Sequence, residues 1–466
     1  MKVRPPRLPF RVEVAAVVAV GALYVIGSGW AMANTSYDIW GALRAAPLIA
    51  AVMVPLIHVS MRRQPHLVKI VYLGLALKAG GTVARYWVAF DAYGGAADAQ
   101  SYHDAGRIYA QQIRDGQVGP WSIVPHGTGT EFVRHLTGTL YTVVGSSKLG
   151  GFLWFSALGY VGVILCIKAA DYFPQWVDAR RYAWLCCLSP SLVFWPSSIG
   201  KESWMMLSLG LVVYGAARLF ATRQFARPIL YLAAGTVAAG IVRPHMATVW
   251  VGAGVAGVVW SAFTVRTGRG NSRGAAIAAA GVGVVGLIVV GRVALRFLPS
   301  SQNDVSIGDQ INTALDATLR RTSGGGSEFT PPSVASPLDY PVAVLRTITR
   351  PLPYEVRGLS TLLPAVETAA IIVLALVGIS RMAALPSVLR RSPLTVMHLL
   401  IMVATALAYT SFSNLAILVR QRSLLMPSLL FLLSVRPHAV SGPEARWATP
   451  EGNARQAALH SGGPRT

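Results

Sequence analysis

Two carboxylates bracket a tyrosine and a histidine in one short segment of this chain: Asp98, Tyr102, His103 and Asp104. Asp98 and Tyr102 are one helical turn apart, so in a helix they share a face. The residues that follow, Ala105 to Arg114, repeat apolar side chains at helical spacing, which predicts a short amphipathic helix lying along a membrane surface. An acid at such a position can complement the dipole of a helix N-terminus. It can also take the proton from a reacting hydroxyl as a general base.

Cations gather at comparable positions elsewhere. Lys201 and Glu202 follow Ser189, Pro190, Trp195, Pro196 and Gly200, and two prolines and a glycine so close together break or kink a helix. The backbone groups freed there need partners or a wet cavity. Arg243 stands beside Pro244 and His245. Arg350 and Glu355 lie in a proline-rich charged segment that includes Arg346, Tyr354 and Arg357, and Arg420 and Arg422 precede Pro427. Lys78 and Arg85 occupy roughly one face of a helix, and Lys78 is expected to snorkel or to pair with a carboxylate such as Glu367. Arginine and lysine bind phosphate, arginine often through two parallel hydrogen bonds. Cations beside isolated acids suit an anionic lipid head group and a reacting hydroxyl, with the cations stabilising a leaving phosphate.

The elements that must carry these residues are apolar. The chain has 466 residues, 53% of them hydrophobic and 13% charged, against about a quarter charged in a soluble protein. Apolar windows near 12–33, 41–60, 67–89, 150–169, 182–199, 203–221, 229–242, 246–265, 275–297, 361–380, 394–412 and 423–435 read as about twelve transmembrane helices. The expected fold is an all-α membrane protein, a polytopic helix bundle over 1–435. Two external loops, about 90–149 and 298–360, carry amphipathic helices, one of them around 305–321. A Gly, Ser and Pro-rich stretch at 322–337 suits a gate, and 436–466 reads as a disordered cytoplasmic tail. Lys2, Arg4, Arg7 and Arg11, Arg62 and Arg63, Arg180 and Arg181, Arg218, Arg223 and Arg227, Arg266, Arg269 and Arg273, and Arg381, Arg390 and Arg391 mark every second connection. The positive-inside rule then puts both termini in the cytoplasm of a multi-pass cell-membrane protein. It also accounts for much of the +22 net charge without nucleic acid, since basic loops with no folded domain around them do not make a DNA-binding module. Cys166, Cys186 and Cys187 are odd in number and match neither a zinc site nor a disulfide framework. The Arg, Ala, Gly and Val content suggests a GC-rich bacterial source.

Asp98, Tyr102, His103, Asp104 and Arg107, followed by Gly127 to Phe132, Leu140, Tyr141 and Gly145, resemble the first external loop of the GT-C class of integral membrane glycosyltransferases. The segment from Ser189 through Lys201 and Glu202, and the Arg243–Pro244 pair, are similar to patterns in such enzymes. The ending Arg420, Gln421, Arg422 and Pro427 also resembles bacterial polysaccharide polymerases. The resemblance implies Asp98 as the catalytic base and a lipid donor in a groove between spans. Many GT-C enzymes carry two adjacent acids here; in this chain Ala99 follows Asp98, and Asp104 is the next acid. The expected activity is transfer of a sugar from a polyprenyl-phosphate donor to a glycan or lipid acceptor at the outer face of the membrane. Asp98 and Asp104 are the catalytic candidates. Tyr102, His103, Lys201, Glu202, Arg243, His245, Arg350, Glu355, Arg420 and Arg422 are the substrate-binding candidates. No metal ligand set is assigned and a divalent ion is left open. The alternatives are a polymerase of lipid-pyrophosphate-linked repeat units and a transporter or lipid flippase, a class whose polar residues gather near the midplane.

Overall fold

The computed structural model describes residues 10–95, 98–120, 127–222, 224–264, 337–356 and 358–437, together with 281, 288, 318–320, 322 and 328–331. These residues are helical, with no strand among them beyond two isolated bridges. Nearly all of the span expected at 275–297, most of the helix expected around 305–321 and nearly all of the tail lie outside the described residues.

Helices α1 (Phe10–Asn34), α2 (Tyr37–Ser60) and α3 (Val68–Trp87) open the chain, and α3 runs on through a single wide π turn, Val88–Ala92. The segment 90–149 holds two helices, α4 (Asp98–Arg114) and α5 (Thr130–Val144), where one was expected. They pack face to face because Gly106 and Gly138 leave room. A Cβ on Gly138 would meet Tyr109 Cβ at 2.5 Å, and one on Gly106 would meet Thr137 Cγ2 at 2.5 Å. The buried residues of α5, Phe132, Val133, Thr137, Tyr141 and Val144, recur at helical spacing and face α4 and the bundle.

Helix α6 (Lys148–Ala170) is the centre of the bundle and touches α2, α3 and α9 (Lys201–Ala221). Gly162 of α6 and Gly210 of α9 meet backbone to backbone with no space for a side chain, the small-residue contact that lets helices associate in lipid. Helices α10 (Ala226–Val242) and α11 (Pro244–Thr264) continue the layer. Beyond them come α12 (Tyr340–Thr349), α13 (Leu359–Val377), α14 (Ile379–Leu389), α15 (Pro393–Ala408), α16 (Leu415–Arg422) and α17 (Met426–Leu432). Helix α14 occupies part of what the sequence suggests is a basic connection. Among the described residues three helices, α2, α6 and α9, are long and apolar enough to cross a membrane, and the number rises to five if the bent pairs α13–α14 (77°) and α16–α17 (62°) each count as one span. Helices α10 and α15 are apolar and shorter.

The apolar stretch at 182–199 is broken, as its prolines require. Helix α7 (Ala179–Leu188) stops at Ser189, Pro190 starts the short α8 (Pro190–Phe194), and the chain bends until α9 begins. The freed backbone finds side-chain partners. Lys78 Nζ donates to Leu192 O at 2.7 Å, and Glu367 accepts from Ser191 N at 3.0 Å and from the hydroxyls of Ser189 and Ser191. Lys78 therefore does not pair with Glu367, whose oxygens are taken up by the α7–α8 junction and by Arg422. Cys166, Cys186 and Cys187 are buried and unbridged.

Candidate functional site

One network joins four elements that are distant in sequence. Glu202 lies in the first turn of α9, where the helix dipole favours a carboxylate. Its side chain is 2% exposed. Arg243, at the end of α10, donates from Nη2 to Glu202 Oε1 at 2.9 Å. Arg420, in the last turn of α16, approaches the same carboxylate with Nε at 2.9 Å and Nη2 at 3.0 Å. Its remaining nitrogen, Nη1, donates to Asp98 Oδ2 at 2.8 Å. Gln421 accepts from Arg243, so two successive residues of α16 clasp the Glu202–Arg243 pair.

The network runs from water to interior. Asp98 is 59% exposed at the start of α4, Arg420 is 25% exposed, and Glu202 is sealed beneath. Tyr102, one turn after Asp98, is buried against the network, and Thr130 hydrogen-bonds its hydroxyl. Burial, with Glu202 and Asp98 close by, pushes its phenol up to about 12, so it is a neutral hydrogen-bonding group at neutral pH. The start of α5 is fixed beside Arg243 by Gly129, whose N–H donates to Ile241 O at 2.8 Å. Its φ of +66° is a conformation that favours glycine. Lys201 adjoins Glu202 and is half-buried. Arg85 reaches the same charges from α3 and lies over the rings of Phe194 and Trp195, 5.2 and 4.9 Å from their centroids. Its Nε has no hydrogen-bond partner. The group holds four cations, Arg85, Lys201, Arg243 and Arg420, against two carboxylates, Asp98 and Glu202.

The other candidates lie elsewhere. Asp104 is exposed and held by Gln100 Nε2 at 2.9 and 2.8 Å from its two oxygens. His103 points into a second cluster. Its Nδ1 is 2.8 Å from the Tyr141 hydroxyl, and its Nε2 is 3.7 Å from Asp38, which pairs with Lys148 at 3.2 Å. Burial holds the imidazole down to about 4, although Asp38 pulls it the other way. His245 is exposed in the first turn of α11. Arg350 and Glu355 pair with each other at 3.0 Å, and Arg350 covers the Phe329 ring. Arg422 is fully buried and donates to Ile348 O at 3.0 Å and Thr368 Oγ1 at 2.9 Å, with Nη2 3.5 Å from Glu367. It braces α12, α13 and α16 and does not face Arg420's carboxylates.

Of the candidates, the structure thus brings together Asp98, Tyr102, Lys201, Glu202, Arg243 and Arg420. It adds Arg85, Gln421 and Thr130. Gln421 was marked only by its place between two arginines, and Arg85 only by sharing a face with Lys78. Among the described residues no three His, Cys, Asp or Glu side chains converge as a metal site. Asp98 and Glu202, the two acids of the network, both face Arg420, so this donor set does not fit a divalent ion. The surplus of cations fits an anion, with Asp98 at the mouth as the one accessible acid of the network. No family model, curated protein or solved structure matches the chain.

Proposed function

We propose that this chain is an integral membrane glycosyltransferase that moves a sugar from a polyprenyl-phosphate donor to an acceptor hydroxyl at the outer face of the cell membrane. In this reading the chain crosses the membrane about twelve times with both termini in the cytoplasm. The observation that carries the reading is the cation surplus around Arg420 with Asp98 at its exposed edge. Arg420, Arg243, Lys201 and Arg85 attract the donor phosphate and stabilise the charge that builds on it as the glycosidic bond breaks. Asp98 takes the proton from the acceptor hydroxyl. Tyr102, kept neutral, hydrogen-bonds one of the reacting oxygens. Direct displacement gives inversion at the sugar carbon.

Gathering at one end of the bundle supports surface chemistry on an embedded lipid over a midplane transport site. The test is mass spectrometry of lipids that co-purify with wild type and with Asp98→Asn in mild detergent. A polyprenyl-phosphate sugar enriched in Asp98→Asn is the expected result. A lipid-pyrophosphate oligosaccharide would replace the reading with a polymerase of repeat units. No polyprenyl lipid in either sample would sink both and favour a transporter.

A further inference from the structure

A second cationic site stands at the other end of α7. A cleft of about 390 Å³ opens between the start of α7 and the α13–α14 bend, lined by Asp178, Arg180, Arg181, Trp184, Leu374 and Arg381 among others. Three guanidinium groups meet one carboxylate there. Two of them are positioned by the chain end of α17: Arg181 Nε donates to Leu433 O at 3.2 Å, and Arg381 Nη1 donates to Val435 O at 3.0 Å. Arg181 and Arg381 repel each other across the cleft, and like charges held together favour an anion between them. Asp178 offsets one of the three positive charges and leaves a net surplus of two. One of its oxygens caps α7 by accepting from Arg181 N at 3.0 Å, and the other is 3.9 Å from Arg381. Arg180 is exposed.

The surroundings say what kind of anion. Trp184 and Leu374 form an apolar wall. Beside them Leu188, Val373, Leu376, Val377 and Ile379 are exposed, Val377 at 81%. A cationic cleft opening onto an apolar belt fits a charged head group whose chains run along that belt. Arg180, Arg181 and Arg381 are among the residues that the positive-inside rule assigns to the cytoplasm.

We propose that this cleft binds the phosphate of an anionic phospholipid of the cytoplasmic leaflet. The inference rests on the membrane-spanning reading and not on glycosyl transfer. The full chain, purified in zwitterionic detergent, is titrated with phosphatidylglycerol and phosphatidylcholine, and retained lipid is counted by native mass spectrometry. Wild type should keep phosphatidylglycerol selectively. Arg180→Glu, which reverses one surface charge, should weaken that retention roughly twenty- to thirty-fold. Arg180→Gln should weaken it roughly five-fold. Arg62→Glu, in another basic connection, should leave it unchanged. Equal losses in Arg180→Glu and Arg62→Glu would reduce the effect to general charge attraction and overturn the site. So would unchanged retention in both Arg180 variants. Retention of soluble glycerol phosphate as strong as that of the lipid would overturn the lipid assignment. None of these outcomes depends on whether Asp98 is a base.

Discussion

Replacing Glu202 by glutamine separates the sealed part of the network from its exposed edge. The substitution keeps the volume and removes the charge. Arg243 and Arg420, whose nitrogens lie 2.9 to 3.0 Å from the carboxylate, are left facing each other across a neutral amide. Deleting one partner of a buried ion pair costs about 3–5 kcal/mol. Asp98→Asn removes the other partner of Arg420, but at a site 59% exposed, where an ion pair contributes about 0.2–1 kcal/mol. Thermal unfolding of detergent-solubilised protein, followed by tryptophan fluorescence, should show a midpoint loss several times larger for Glu202→Gln than for Asp98→Asn. Arg420→Gln combined with Glu202→Gln should cost less than the sum of the two single changes, because neighbours in one network couple. Equal midpoints for Asp98→Asn and Glu202→Gln, or strict additivity in the double variant, would refute the view that Glu202 is the structural anchor and Asp98 the free end.

Four further outcomes follow from the same geometry. Asp98→Asn should abolish sugar transfer while the protein elutes like wild type and shows only the small midpoint loss expected above; full activity would remove Asp98 from the mechanism. Arg243→Ala or Arg420→Ala should weaken donor use more than Arg446→Ala in the tail, read as the rise in donor concentration for half-maximal transfer; equal effects would make these cations anchors only. His103 takes its proton near pH 4 when folded and near 6.5 when unfolded, so acid favours the unfolded chain. Stability present above about 6.5 is lost as pH falls towards 4, by at most about 3 kcal/mol, and His103→Gln should flatten that profile; unfolding midpoints that fall equally steeply in both proteins would refute it. Gly138→Val should overpack α4 against α5 at a cost of about 1–3 kcal/mol and move Asp98 off Arg420, so a variant with wild-type midpoint and activity would show the hairpin to be loosely seated.

Much of the helical layout could be read from the sequence, because apolar runs and helix breakers are local signals. Pro190, Pro196 and Gly200 marked the break after α7, and the four-residue spacing of Asp98 and Tyr102 put both on the face that meets the network. Helix α5 was missed because its apolar residues occupy one stripe and its polar ones make the segment look like loop. The pairing of Glu202 with Arg420 spans 218 positions, and nothing local announces it. Spacing could have divided the candidates further. Arg420 and Arg422 are two residues apart, about 200° around a helix, and they point to opposite sides: one to Glu202, the other into the brace against Glu367. Asp104 is about 120° away from Asp98 on the same argument and faces water. His103 is one step, about 100°, from Tyr102 and turns into the cluster with Asp38 and Tyr141.

Arg420 serves two carboxylates that differ in what can reach them. Glu202 is enclosed, and no incoming anion can contest its hold. Asp98 is held at the surface through a single nitrogen, so an arriving phosphate competes with Asp98 alone. In the proposed reaction the donor would take the place of the base at the arginine, and the released carboxylate would be free to meet the acceptor hydroxyl. Arrival of the donor and arming of the base would be one exchange of partners, and without the donor Asp98 would stay neutralised by its own protein.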